Sequence, residues 1–254
     1  MYRFFVGQDQ IDLEQKRICI TGSDVNHIKS VLRMKKGEKV LISDSESREY
    51  TCQIDEISQG EVHLVIEEGE EANRELPSRI YLFQGLPKSD KMELIIQKAV
   101  ELGVYEIIPV DMKRTVVKLD SKKQETKLRR WQGISESAAK QSKRIVIPQI
   151  HPVMKFSEAL EYADNLDVCL MPYELAENMQ YTRKILGDIR PGQSIGIFIG
   201  PEGGIAPEEV ESAWENQVQS ITLGRRILRT ETAGMTVLSI LMFQLEDKSA
   251  ENDR

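Results

Sequence analysis

The chain has 254 residues, 40% of them apolar and 30% charged, with a net charge of −7. This balance excludes collagen-like and disordered chains, and the length suits a small domain beside a larger one, each able to bury a core. No apolar run reaches the roughly 18 residues of a membrane span, and the apolar part of 1–6 is too short for a secretory signal, so the cytoplasm is the expected location.

Short runs at 3–6, 17–20, 39–43, 50–57 and 61–67, bounded by Gly, Asp and Ser, predict a β-rich unit. Val25, Ile28, Val31 and Leu32 recur at helical spacing behind Ser23, which predicts a helix over 24–34 with Ser23 as its cap. Residues 1–70 therefore read as a small barrel carrying one helix. The acidic stretch 67–77, closed by Pro77, has the composition of an exposed linker, and the boundary is placed at 71–78.

Beyond it, strand and helix patterns alternate, as in an α/β domain over 79–246 with a mainly parallel sheet. Strands are expected at 80–84, 107–110, 145–147, 167–171, 194–199 and 219–223. Met92, Ile95, Ile96, Ala99 and Leu102 mark one helix face that ends at Gly103. Further helices are expected at 123–142, 156–163 and 207–216, the last with Pro207 in its first turn and Glu208 and Glu209 complementing its dipole. The final helix, 230–246, is apolar around most of its circumference, so it must be covered on more than one side, either by a second subunit or by a thick core of its own chain. A homodimer is the expectation, with 247–254 as a disordered tail.

Cys19, Cys52 and Cys169 lie far apart in apolar strand-like runs, and an odd count argues against a disulfide framework. His27, His63 and His151 have no spacing that sets two ligands on one helix face or hairpin, so no metal site is expected. The negative net charge argues against a nucleic-acid partner, but 111–144 holds eleven Lys and Arg against four Asp and Glu. That stretch is either a basic binding face or a solvated helix surface.

The most informative residues are two loops near the C-terminus. The strand-like run 195–199 breaks into Gly200-Pro201-Glu202-Gly203-Gly204, and a second loop follows at 223–233. Glycine after a buried strand lets backbone N–H groups approach a ligand, and proline leaves less ordering entropy to lose. The first loop lacks both the Lys-Ser/Thr ending of a phosphate loop and the spacing of a dinucleotide turn, which argues against triphosphate and nicotinamide ligands.

Arg3-Phe4-Phe5, His27 with Val31-Leu32-Arg33, Lys88 with Lys91 and Lys98, 101–104, 139–144, 199–204 and 223–233 together resemble the bacterial 16S ribosomal RNA uridine N3-methyltransferases, the RsmE family of the SPOUT superfamily. The resemblance runs nearly end to end. It implies a PUA-like RNA-binding β-barrel, an α/β methyltransferase domain whose C-terminal end forms a trefoil knot, S-adenosyl-L-methionine as cofactor, the small ribosomal subunit as partner and pairing of subunits through the knot. On that resemblance Leu170, Met171, Pro172, Ile199, Gly200, Pro201, Glu202, Gly203, Gly204, Leu223, Gly224, Ile227 and Leu228 are expected to hold the cofactor. Glu202 either offsets the sulfonium charge or fixes its loop by accepting backbone N–H bonds.

Methylating uracil N3 requires a base for the imide proton and firm positioning. Glu231 is the candidate base, or else it complements the N-terminus of the last helix. Arg229 is the candidate for stabilising negative charge on the uracil carbonyls, and Thr230 for orienting the loop as an N-cap. Arg225 and Arg226 are expected to hold phosphate, with Lys88, Lys91, Arg114, Lys140, Gln141 and Arg144 extending the track. From the barrel, Arg3, Phe4, His27 and Arg33 are the candidates for gripping RNA, Phe4 being either a stacking platform or core. Two alternatives stay open: another RNA target, such as a tRNA ribose 2′-hydroxyl, and a non-enzymatic ribosome-assembly factor.

Overall fold

A computed structural model describes residues 1–72, 74–176 and 178–252, with side chains described up to 246. The chain divides into two units, Met1–Glu75 with Ala139–Ile147, and Leu76–Ala138 with Pro148–Arg254.

The first unit is built on six strands: β1 (Tyr2–Phe5), β2 (Ile11–Asp12), β3 (Arg17–Thr21), β4 (Lys39–Ser43), β5 (Arg48–Ile57) and β6 (Glu61–Glu71). They form one sheet in the order β1-β4-β5-β6-β3-β2, with β1 parallel to β4 and the remaining pairs antiparallel. Alternation sets its register. Ile18, Ile20, Val40, Ile42, Val62 and Leu64 are at most 1% exposed and pack with Phe4, Val25 and Ile28 into one core. The expected helix over 24–34 is shorter and split. A turn of α1 (Ser23–Asn26) passes into a wider π-type turn at His27–Val31, closed by Leu32 N–H bonding the His27 carbonyl, and Arg33 sits at φ +52°.

Two expectations of chain organisation are corrected. Strand β6 continues to Glu71, four residues past the expected end, because its backbone pairs with β5 whatever the polarity of the side chains. The expected strand at 145–147 is absent, and 139–147 belongs to the first unit instead. Arg144 pairs with Glu75, the Ser43 hydroxyl donates to the Ile145 carbonyl at 2.7 Å, and Arg3 donates to the Arg144 carbonyl at 3.0 Å.

The second unit alternates β7 (Arg79–Gly85), α2 (Lys91–Glu101), β8 (Glu106–Asp111), α3 (Ser121–Ser142), β9 (Gln149–Ile150), β10 (Met154–Lys155), α4 (Phe156–Ala163), β11 (Val168–Pro172), α5 (Met179–Asp188), β12 (Ser194–Ile199), α6 (Pro207–Glu215), β13 (Gln219–Ile221) and α7 (Thr230–Asn252). The last residues of α3, from Ala139, fall in the first unit. The strands are all parallel, in the order β10-β8-β7-β12-β11-β13, with β9 beside β8. Near-continuous apolar runs such as 195–199 suit a sheet covered on both faces. Phe83 and Phe198 stack at 4.3 Å between neighbouring central strands.

Helix α5 escaped the sequence reading. Its buried face is only Thr182, Ile185 and Leu186, and its cap, the Asn178 side chain accepting from Tyr181 N–H at 2.9 Å, follows a polar stretch. Helix α7 continues to Asn252, so 247–252 have a helical backbone where a disordered tail was expected. Residues 253–254 lie outside the described residues. No helix among the described residues is long and apolar enough to cross a membrane.

Candidate functional site

Strand β12 delivers Ile199 into a turn at 200–204 whose glycines are required by close packing or by backbone conformation. A Cβ on Gly200 would lie 2.8 Å from Ile205 Cγ1, and Gly204 adopts φ +71°, in the left-handed region that favours glycine. A second loop, 222–229, follows β13. These two loops and the segment after β11, including Tyr173, Ala176 and Met179, line one cleft of about 1100 Å³. The cleft therefore opens at the carboxyl ends of adjacent parallel strands, where open α/β sheets place their ligands.

Helix α7 starts at the cleft wall. The Thr230 hydroxyl donates to the Gly200 carbonyl at 2.7 Å and accepts from Gln84 Nε2 at 2.8 Å, while Gln84 Nε2 also donates to the Gly85 carbonyl at 2.9 Å. Thr230 is thus not the expected N-cap. The first turn is closed by Ala233 N–H on the Arg229 carbonyl, and the Thr230 side chain is used to hold the other loop. Gln84 is fully buried on central strand β7, and its Oε1 has no hydrogen-bond partner.

A charged triad lies beside these loops. Lys91 Nζ is 3.0 Å from Glu202 Oε1 and 3.4 Å from Glu231 Oε2, and the Lys88 backbone N–H donates to the Glu202 carboxylate at 3.1 Å. Burial acts to raise the Glu202 carboxyl, but the hydrogen bonds from its own backbone, Lys91 and Lys88 outweigh it and hold the group below its ordinary value. Lys91 is raised, chiefly by its bond to Glu202. Glu202 therefore fixes its loop as one of the two readings required. Glu231 Oε2 is buried and within ion-pair range of Lys91.

Of the residues expected at the cofactor, Pro172, Ile199, Gly200, Pro201, Glu202, Gly203, Gly204, Leu223, Gly224, Ile227 and Leu228 line the cleft, as do Arg225, Arg226, Arg229 and Thr230. Leu170 and Met171 do not: both are 0% exposed, because they precede the strand end and the pleat points them to opposite faces of a sheet that is covered on both. Glu231 is not among the residues that line the cleft; its Oε2 lies 3.4 Å from Lys91, which is. Lys91 is itself on that wall, engaged with two carboxylates, not displayed for a phosphate. Arg114 is exposed and donates to the Gly203 carbonyl at 3.0 Å, bracing the turn, and Lys88 is exposed.

In the first unit several expected RNA contacts are structural. Arg3 and Arg144 are 7% and 5% exposed and are paired with Glu49 and Glu75. Phe4 is 1% exposed, hence core, with Lys140 Nζ 5.6 Å from its ring centroid; Lys140 also pairs with Asp24 at 3.0 Å. Only His27, Arg33 and Gln141 of that group present an exposed side chain, His27 edge-on to Phe4. The reading missed Gln84, Thr222, Ala176 and Met179. The rule that ligands gather at strand carboxyl ends would have drawn in Thr222 and the segment after β11, whereas Gln84 reads as one polar residue in an apolar strand.

The RNA methyltransferase domain family matches residues 74–242, and the RNA methyltransferase PUA domain family matches 20–67. The chain is 37% identical over 250 residues to ribosomal RNA small subunit methyltransferase E of Bacillus subtilis, covering 97% of this chain and 98% of that protein. It is 36% identical over 239 residues to the protein of the same name from Mesomycoplasma hyopneumoniae, covering 94% and 98%. Among solved structures, a ribosomal RNA small subunit methyltransferase E from Neisseria gonorrhoeae bound to S-adenosyl methionine matches with a TM-score of 0.80 at 31% identity, covering 96% of this chain and 98% of that one.

Proposed function

The chain belongs to the ribosomal RNA small subunit methyltransferase E family, and from that premise we propose that it methylates N3 of one uridine in the decoding region of 16S ribosomal RNA, using S-adenosylmethionine. The observation that carries this reading is the cleft at 199–205 and 222–229, joined through Thr230. Its residues fit the cofactor: the glycines of the 200–204 turn leave backbone donors and acceptors uncovered, Ile199, Leu223 and Leu228 offer apolar surface, and Glu202 offers a negative charge. When bound, S-adenosylmethionine supplies a methyl carbon made electrophilic by the attached sulfonium.

The protein's part is to position the uracil and take its imide proton. Glu231 is the base in this reading, supported by the place of its carboxylate, 3.4 Å from Lys91 on the cleft wall. Lys91 positions that carboxylate and ties it to the Glu202 loop. Arg229 offsets the negative charge spreading onto the uracil carbonyls, and Arg225 and Arg226 hold the nucleotide backbone. The same reading carries the trefoil knot at the chain end, which the family resemblance implies. It also carries a homodimer paired through this region and a cytoplasmic place of work on the small subunit.

The test is transfer of labelled methyl from S-adenosylmethionine to small subunits lacking the modification, with mass mapping of the product nucleoside. The expected product is 3-methyluridine at one site. Glu231→Gln should lower turnover by about 10²–10⁴-fold, the span of general-base catalysis, with cofactor affinity kept. Unchanged turnover in that variant removes Glu231 as the base. Methyl on a ribose, or on another RNA, replaces the target.

A further inference from the structure

The first unit carries a cluster of metal-ligating side chains that the cleft and its chemistry do not use. Cys19 on β3 and His63 on β6 are direct cross-strand partners, and Glu61 lies two residues before His63 on the same strand. Ile18, Ile20, Val62 and Leu64, which alternate with them, are at most 1% exposed. The pleat therefore turns Cys19, Glu61 and His63 to the opposite, outer face of the sheet, where Cys19 and His63 are half-buried and Glu61 is exposed. One ligand atom from each of the three lies within 4.8 Å of the other two. His63 Nε2 is 3.2 Å from Glu61 Oε2, and the Cys19 thiol interacts with the same carboxylate.

We propose that Cys19, Glu61 and His63 form a binding site for a thiophilic divalent cation of the Zn²⁺ class, with a fourth position open to water. A sulfur, an imidazole nitrogen and a carboxylate oxygen are the donor set of such an ion, which holds them at about 2.0–2.3 Å. Ca²⁺ takes six to eight oxygens and Mg²⁺ an octahedral oxygen shell, so neither suits this site. On binding, the Cys19 thiol releases its proton to solvent and coordinates as thiolate. His63 coordinates through Nε2 as the neutral ring, with its proton on Nδ1, and Glu61 coordinates as carboxylate. Two negative ligands then balance the charge of the ion. Both strands are anchored by their inner faces, so closing the donors onto an ion needs side-chain rotation and little backbone ordering. The ion would tie β3 to β6. The expectation of no metal site rested on sequence spacing, and it is revised here because antiparallel pairing brings distant strands into register. Cys52 and Cys169 are buried and have no part in it.

The test uses the full-length reduced chain, stripped with a chelator and titrated with Co²⁺, whose thiolate charge-transfer and visible d–d absorption report tetrahedral sulfur ligation. The expected result is stoichiometric binding, displaced by Zn²⁺, with the charge-transfer band lost in Cys19→Ser. His63→Gln should bind at least about tenfold more weakly, since even the loss of a supporting partner costs that much. Circular dichroism checks that each variant is folded, and His63→Gln decides alone if Cys19→Ser is not. Absence of Co²⁺ uptake overturns the proposal, as does a sulfur band that survives Cys19→Ser or an affinity unchanged in His63→Gln.

Discussion

Thr230 does more for the site than its position in the sequence suggests, because one hydroxyl joins the start of α7 to the Gly200 carbonyl and to Gln84 on the central strand. Thr230→Val keeps the shape and removes both bonds. A buried polar group left without its partner costs about 1–3 kcal/mol, so cofactor affinity should fall roughly tenfold or more by calorimetric titration, with Thr230→Ser close to wild type. Equal affinities for the valine and threonine forms would show that the link does not shape the loop. Arg3 makes the converse case. Its guanidinium is buried against Glu49 and donates to the Arg144 carbonyl, so Arg3→Met should lower stability by about 3 kcal/mol in urea unfolding, as removing one partner of a buried pair does. An Arg3 that served only RNA would leave stability untouched. The glycines of both loops were legible because their chemistry is local. The engagement of Arg3 and Arg144 was not, because their partners are remote in the chain and an arginine looks the same whether buried or exposed.

The turn between β4 and β5 is built on one carboxylate. Asp44 Oδ1 accepts from the backbone N–H groups of Glu46, Ser47 and Arg48 at 2.9 Å each, and Asp44 is 4% exposed. Burial acts to raise its carboxyl, but these hydrogen bonds prevail and hold it below the ordinary 3.8. A group depressed on folding contributes stability that is fully present above its unfolded value and is lost as the pH falls through its folded value. The stability gap between wild type and Asp44→Asn should thus be constant above about pH 4, the unfolded range, and shrink below it in denaturant titrations. A gap independent of pH would mean that the carboxylate form does not matter. Elements with strong local signals, such as α2 with its apolar period, α6 with Pro207 in its first turn and β12 with its apolar run, were readable for the same local reason. Residues 145–147 have the apolar composition of a strand, yet Glu75 and Ser43 claim their backbone, and no feature of the run itself records that competition.

At the scale of the whole molecule, α7 carries the open question of assembly. Val237, Leu238, Leu241 and Leu245 are buried at or below 1% exposure, whereas Phe243 is 74% and Ile240 38% exposed on another side of the helix. Apolar side chains on that side support the proposed homodimer, and Phe243→Glu should shift light-scattering mass from two chains to one while the fold is kept. A single-chain mass for the unaltered protein would remove the dimer from the proposal. The sequence by itself determined a β-rich unit followed by an alternating α/β unit, the two glycine loops and the final apolar helix, because periodicity, turn chemistry and caps act between near neighbours. The tertiary structure alone decided that 139–147 joins the first unit, that Lys91 bridges Glu202 and Glu231, that Gln84 reaches Thr230, and that Cys19 faces His63. Each of these depends on which strands pair and which faces meet, and that is set by burial of the whole chain, not by any window along it.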